Sequence, residues 1–327
     1  MPTLKEDRLN KIASMYQEKG EIETAKHFGI TIESLMRYMR IFKKKPAQVI
    51  QTPQATKQKE DPIWSKLKEK FSEDEIQALL NANTSRKPID NAAYSFSGKT
   101  VRFLSLGDTH IGSKFFDETK LLSAFKEAEK QECQFMLHSG DVTEGMSARP
   151  GQIYELEDIG QSAQVNHAVR VLSQWKEKIF FITGNHDGFV NSKTGVGIDV
   201  GMMLQDRLPN SKFVGYHQGI VDVNGSSFML WHGTDGNSYS TSYRPQKIVE
   251  AFNGGEKPHA LFCGHTHKML YMFDRNVHIV STGCIEDQSD FMKFNRLAAH
   301  VGFWICEATI NGGEIKKFTS TWHPFYI

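Results

Sequence analysis

The sequence predicts an α/β (α+β) protein: a two-sheet β-sandwich flanked by helices, with a small all-α domain in front of it. Three observations predict this. Short apolar runs bounded by glycine and polar turn residues recur from Val101 onward. Helical patterns separate several of them, such as Thr119–Gln131 and Ser162–Trp175. Toward the end strand follows strand over short turns like Asn311-Gly312-Gly313, which suits mixed, stacked sheets better than a single parallel one.

The totals agree. A chain of 327 residues with 39% hydrophobic and 24% charged residues suits a globular protein of one large domain and a smaller one. A formal net charge of +1 means that any nucleic-acid footprint is local. The start lacks the apolar core of a signal peptide and no run is long enough to span a bilayer, so a cytoplasmic protein with no membrane contact is expected. The 4 cysteines are scattered and form no C-x-x-C, which fits reduced thiols.

Residues 1–45 read as a helix-turn-helix-like module of three short helices. Leu9, Ile12, Ala13 and Tyr16 recur at helical spacing up to Gly20. A second helix runs from about Ile22 to Phe28 before Gly29. The third opens near Thr31, an N-cap, and carries Leu35, Tyr38, Met39 and Phe42 on one face. The segment from Glu23 to Tyr38 resembles the helix-turn-helix of DNA-binding proteins, with a small residue at the helix crossing and a glycine at the turn. Arg37, Arg40, Lys43, Lys44 and Lys45 load its exit with charge suited to phosphate, so nucleic acid is the expected partner. A three-helix unit with a basic tail also serves as a protein-docking module or a solubilising cap.

Residues 46–62 turn to Gln, Thr, Pro, Ala and Lys and read as a flexible linker. Residues 63–93 read as a helical connector, with Ser72-Glu73-Asp74-Glu75 as a capping box. From 94 to 327 the layered pattern takes over. Its strand-like runs are Val101–Leu106, Phe135–His138, Ile179–Thr183, Ser227–Trp231, Ala260–Cys263, Val277–Ser281 and Gly302–Cys306.

Five of these runs end in clusters of chemically able residues. They are Gly107-Asp108-Thr109-His110, Gly140-Asp141-Val142-Thr143-Glu144, Gly184-Asn185-His186-Asp187, His232-Gly233 and Gly264-His265-Thr266-His267. Apart from His186 and Asp187, the ligand-type side chains are the carboxylates of Asp108 and Asp141, the imidazoles of His110, His232, His265 and His267, and the amide of Asn185. The two-residue spacing in Asp108-x-His110 and His265-x-His267 points both side chains to one side if the chain is extended. A mixed nitrogen and oxygen set without thiolate suits Mn, Fe or Zn. It holds too many donors for one small ion, and a shared carboxylate would serve two.

The five clusters, in this order from Val101 to the C-terminus, resemble the signature of the calcineurin-like metallophosphoesterases. The resemblance implies a sandwich fold and a metallophosphoesterase catalytic domain over 94–327. It implies that Asp108, His110 and His267 hold one metal, that Asn185, His232 and His265 hold the other, and that Asp141 bridges them. It also implies that a metal-bridging hydroxide attacks phosphorus while His186 faces the substrate. Glu144 stands where phosphatase relatives carry an acid that orients the motif histidine, whereas the family's double-strand-break nucleases tend to carry a histidine. Glu144 is therefore expected to pair with His186, and Asp187 to support the loop. Arg149 is a solvated loop residue or a phosphate clamp, and His138 reads as structural.

The expected activity is hydrolysis of phosphodiester or phosphomonoester bonds with two divalent ions, Mn foremost, on nucleic acid or a nucleotide-derived substrate. Two alternatives are a phosphatase acting on small-molecule or protein phosphates, and a DNA-binding regulator with a vestigial phosphoesterase domain.

Overall fold

The computed structural model describes residues 6–43, 72, 92–147, 149–188, 199–233, 238 and 240–326. The expectations for the linker, and for the connector apart from Ser72, Ala92 and Ala93, lie outside the described residues. The chain divides into two compact units, Met1–Asp61 and Pro62–Ile327.

The described part of the first unit is helical. A helical stretch Glu6–Phe28 is broken at Gly20, where φ 75° and ψ −177° interrupt it, and a second helix spans Ile32–Lys43. The break falls where the sequence places a stop. Around Gly29 the Ile30 amide donates to Ala25 O at 3.0 Å and the Gly29 amide to Lys26 O at 3.3 Å, a Schellman closure that needs a left-handed residue at its corner. Thr31 Oγ1 then accepts from the Ser34 amide at 3.2 Å and caps the next helix. Ile12, Ala25, Leu35 and Met39 form the buried centre of this unit.

The second unit has two six-stranded sheets. One runs β12-β11-β2-β3-β4-β5 and the other β1-β6-β7-β8-β10-β9. The ranges are β1 Ala92–Tyr94, β2 Thr100–Leu106, β3 Phe135–His138, β4 Lys178–Thr183, β5 Ser211–Tyr216, β6 Gln218–Val223, β7 Ser226–Trp231, β8 Ala260–Cys263, β9 Met269–Asp274, β10 Val277–Thr282, β11 Gly302–Asn311 and β12 Glu314–Pro324. Strands β2 to β5 are parallel, and the helices Glu118–Lys130, Gln161–Leu172 and Val200–Arg207 lie in the connections between them. Strands β11 and β12 extend that sheet antiparallel. Both sheets are mixed, as the sequence predicts.

Alternation along β2 sorts its side chains. Val101 and Phe103 enter the core between the sheets, while Leu104 and Leu106 pack toward the helices. Phe103 stacks on Phe135 at 4.8 Å and meets Phe228 and Phe262 of the facing sheet at 5.5 and 5.7 Å. This aromatic centre sets the spacing of the sheets, and hence of the loops that leave β2, β3 and β4 on one side and β7 and β8 on the other. The five clusters all sit on those loops.

Truncation of that centre is expected to be costly. Phe103→Ala should lower unfolding free energy by about 3–5 kcal/mol, the range for emptying a buried aromatic site. Urea denaturation followed by tryptophan fluorescence measures it, and a loss under about 1 kcal/mol would show that Phe103 does not carry the contact between the sheets.

Candidate metal centre

The loops after β2 and β3 are joined by main-chain hydrogen bonds. The Asp108 amide donates to Gly140 O at 3.0 Å, His110 to Asp141 O at 3.1 Å and Ile111 to Val142 O at 3.0 Å. The Asp187 carboxylate fastens the loop after β4 to them. It accepts from the amides of Val142, Thr143 and Gly184 and from Thr143 Oγ1, at 2.8 to 3.1 Å. Asp187 thus uses both oxygens to hold the loops after β3 and β4 together. The facing sheet is tied in by His232 Nδ1, 2.8 Å from Ser139 O, and by the His265 amide, which donates to both oxygens of Asp108 at 2.9 and 3.0 Å.

The two-residue spacings work differently from the extended-chain expectation. Asp108, His110, Asp141, His265 and His267 all have positive φ, between 49° and 76°. Each pair converges because its two members are left-handed, a state that Asp and His tolerate better than most residues but that still carries strain. At Gly184 a Cβ would collide with Asp141 Oδ1 and His232 Nε2, so this position must be bare for the two side chains to meet.

All seven ligand-type residues come together. His110 Nε2 lies 3.1 Å from His267 Nε2, and Asp108 Oδ1 lies 3.5 Å from the latter. Asn185 Oδ1 is 3.1 Å from His232 Nε2 and 2.9 Å from His265 Nδ1. Between these groups Asp141 Oδ2 is 2.9 Å from His232 Nε2 and 3.8 Å from His110 Nε2, while Oδ1 accepts from the His186 amide at 2.8 Å. The donor atoms of Asp108, His110 and His267 could hold one cation, and those of Asp141, His232 and His265 another.

The tautomers suit that use. His110 Nδ1 is held by Glu144 Oε2 at 2.7 Å and His232 Nδ1 by Ser139 O, which leaves both Nε2 lone pairs facing inward. His267 Nδ1 is buried without a hydrogen-bond partner. Such a convergence of bare nitrogens and carboxylates is what a divalent cation satisfies. Glu144 was expected on His186; its shorter side-chain contact is to His110. His186 Nδ1 sits 2.8 Å from Glu144 O and 3.3 Å from Oε2, so the one residue braces both rings.

Charge is balanced by proximity. Burial opposes the charge of Asp141, but His232, His186 and His110 outweigh it and hold its carboxyl well below the usual range. Burial likewise opposes protonation of His232, yet Asp141 and Asp108 push it up to about 9. Asp108 rises to about 7 through burial, with the nearby charge of Asp141 adding to it. Burial, with His232 beside it, lowers His265 to about 4.

Three buried glutamines escape sequence reading. Gln152 Nε2 donates to Glu144 Oε1 at 2.9 Å. Gln164 brackets Gly145, accepting from its amide at 2.7 Å and donating to its carbonyl at 3.1 Å, and Gln161 Nε2 donates to Asp187 O at 3.2 Å. The helix expected from sequence starts at Ser162 and leaves Gln161 outside it, so nothing in the sequence paired Gln161 with Gln164; in the structure both lie one turn apart on the helix Gln161–Leu172. His138 lies 3.0 Å from Thr109 Oγ1, and burial lowers its pKa to about 3. Arg37, Arg40 and Lys43 fall on the helix Ile32–Lys43 of the other unit, and Lys44 and Lys45 lie outside the described residues.

A two-sheet sandwich with imidazole, carboxylate and amide donors on loops from both sheets defines a metallophosphoesterase class of protein. Residues 101–296 match the calcineurin-like phosphoesterase superfamily domain, well over half of the chain, and the chain belongs to that superfamily. It is similar to the DNA polymerase II small subunit of Methanothermobacter thermautotrophicus, 23% identical over 248 residues that are 62% of this chain and 51% of that one. The Archaeoglobus fulgidus protein of the same name is 25% identical over 231 residues, 58% of this chain and 47% of its own. The chain spans about half the length of the curated relatives it matches. Among solved structures, an archaeal phosphodiesterase is similar with a TM-score of 0.41 and 12% identity, covering 68% of this chain and all of its own. Vacuolar protein sorting 29 of Cryptosporidium parvum has a TM-score of 0.37 and 15% identity, covering 69% of this chain and 98% of its own. No helix among the described residues is long and apolar enough to cross a membrane.

Ligation requires neutral rings, and the charges of Asp141 and Asp108, against burial, push the pKa of His232 up to about 9. Lowering the pH from there adds a competing proton, so affinity for a divalent metal should fall as pH falls and binding at about pH 7 should release protons. Calorimetry in two buffers of different ionisation enthalpy checks this; heats independent of buffer would contradict it. In a second test, Gly184→Ala should fold yet lose most of its Mn2+ affinity, because its methyl group displaces Asp141 and His232. Unchanged affinity by equilibrium dialysis would mean that the loop tolerates the methyl group.

Proposed function

We propose that the chain is a two-metal phosphoesterase that cleaves phosphoester bonds of nucleic acid or a nucleotide-derived substrate, with Mn2+ as the foremost metal. The observation that carries this is the place of Asp141, a buried carboxylate within reach of both histidine groups. Asp108, His110 and His267 would hold one ion, Asn185, His232 and His265 would hold the other, and Asp141 would serve both. When bound, such ions polarise the phosphoryl oxygens and lower the pKa of water enough for attack near neutral pH.

The protein's own groups do the rest. Glu144 O fixes the His186 ring through Nδ1 at 2.8 Å, and in this reading the ring acts on the leaving oxygen. Burial opposes protonation of His186, but Asp141 and Glu144 raise its pKa overall, so it holds a proton to donate as the bond breaks. Glu144 remains ionised between the two rings and keeps both in orientation. Asp187 and the three glutamines keep the loops in register before substrate arrives.

Nucleic acid as the substrate is supported by relatives named for a DNA polymerase subunit and by the basic N-terminal helix. In this reading Arg37, Arg40 and Lys43, with Lys44 and Lys45, contact phosphates. A cytoplasmic enzyme fits the same reading.

With Mn2+, the full chain should hydrolyse bis-p-nitrophenyl phosphate and at least one form of DNA. His186→Ala should lower kcat by about 10²- to 10⁴-fold without changing metal stoichiometry. Turnover of p-nitrophenyl phosphate with no cleavage of any polynucleotide would point instead to a phosphatase of small substrates. Replacing Arg37, Arg40 and Lys43 by alanine should weaken DNA binding and flatten its salt dependence by up to about three units of slope. An unaltered slope would remove the front helices from the interface.

A further inference from the structure

Beside the metal centre two segments meet in a ledge of exposed rings. The first follows Glu144 and is anchored by Gln152 on that residue and by the Lys114 amide, which donates to Glu155 O at 2.9 Å. The second follows β10 and is anchored by the Ile285 amide on Asp108 O at 3.1 Å and the Asp287 amide on Phe115 O at 2.9 Å. Both are therefore rigidly continuous with candidate ligand loops.

Three aromatic rings on these segments remain in water: Tyr154 at 79% exposure, Phe294 at 87% and Phe291 at 41%. Rings left out of a core on neighbouring segments mark a surface that meets something apolar. Cations lie among them. The Arg149 guanidinium sits 4.6 Å over the Phe291 ring, Lys293 Nζ is 5.6 Å from the Phe115 ring, and Lys114 Nζ donates to Tyr154 O at 2.8 Å.

We infer that this ledge is a stacking platform for unpaired bases of single-stranded nucleic acid on its way to the metal centre. The inference rests on the phosphoester reading above and narrows its substrate. An unpaired base offers two bare faces to an aromatic ring, whereas a base within duplex is already covered by its neighbours. Arg149 stiffens Phe291 by lying on it and adds positive charge beside a passing phosphate. Glu155 and Asp290 pair with Arg149 and Lys293, so the net charge of the ledge is modest and the rings supply most of the contact. A purely apolar protein partner would gain nothing from cations laid over and beside the rings.

The test uses the full chain carrying Tyr154→Ala and Phe294→Ala, two side chains exposed enough that folding should not depend on them. With Mn2+, KM for an oligothymidylate should rise about tenfold or more, while kcat on it and turnover of bis-p-nitrophenyl phosphate stay at parent levels. Tyr154→Phe, which keeps the ring, should behave as the parent. Binding of a fluorescent oligothymidylate, read by anisotropy, should weaken in parallel, by a factor that itself changes little with salt. Unchanged oligonucleotide KM and affinity overturn the ledge, and loss of self-association alone would make it a protein-docking face instead. If the parent itself fails on bis-p-nitrophenyl phosphate, the hydrolase reading is at fault, and the anisotropy arm still decides the ledge.

Discussion

A carboxylate sealed from water is the constraint on which the rest turns. Asp141 is 1% exposed, and an unpaired charge there would be prohibitive. Its stability requires donors and positive charge from every side, and the fold delivers them from separate loops: the His186 amide, His232 from the facing sheet, His110 from the neighbouring strand. Those groups reach it only because the two sheets pack at the distance set by Phe103, Phe135, Phe228 and Phe262. The inter-sheet core and the polar nest are thus one design seen at two depths.

The nest is strained as well as charged. Five of its residues hold a left-handed backbone that costs L-residues roughly 1–2 kcal/mol each. Main-chain hydrogen bonds between the loops after β2 and β3, and the four donors around Asp187, supply the opposing stabilisation. The four imidazoles and two carboxylates of the nest also act on one another: Asp141 and Asp108 push His232 up against burial, burial with His232 beside it lowers His265, and Asp108 is raised by burial and by the charge of Asp141. A divalent cation held between Asp108 and Asp141 would offset their mutual repulsion, so metal affinity and loop order would be coupled quantities.

Much of this is legible in the sequence. The buried strands announce themselves because both faces are covered, so Phe135–Leu137 and Ala260–Cys263 read as unbroken apolar runs. Edge and half-exposed strands do not: β12 sets Lys316, Lys317 and Ser320 between its inward residues, and β6 opens on Gln218 and Gly219, so neither shows a clean run. The helices Val200–Arg207 and Tyr243–Ala251 are short, and the first is also weakly patterned. Ligand types at strand ends were visible because glycine beside Asp, Asn or His is a chemical signature. How the pairs converge was not, because one-dimensional spacing carries no sign of φ. Gln152, Gln161 and Gln164 were invisible for a similar reason: a glutamine becomes informative only once it is buried, and burial is a property of the assembled loops.

The division of labour among these loops bears on function more than the fold does, since one fold serves many reactions. The candidate ligand positions lie within the first few residues after each strand, where the sheet dictates geometry. The ledge lies further out, on segments that are fastened to the ligand loops at a few main-chain points but are otherwise free to vary. Gln152 is the joint between the two zones: one end braces Glu144, and through it His110 and His186, while the other accepts from the Ser147 amide at 2.6 Å and shapes the approach. Chemistry and substrate choice can therefore change separately, because a new ring or cation on the outer segment leaves the charge balance around Asp141 intact. A change at Glu144 or Gln152 would be felt in both zones at once.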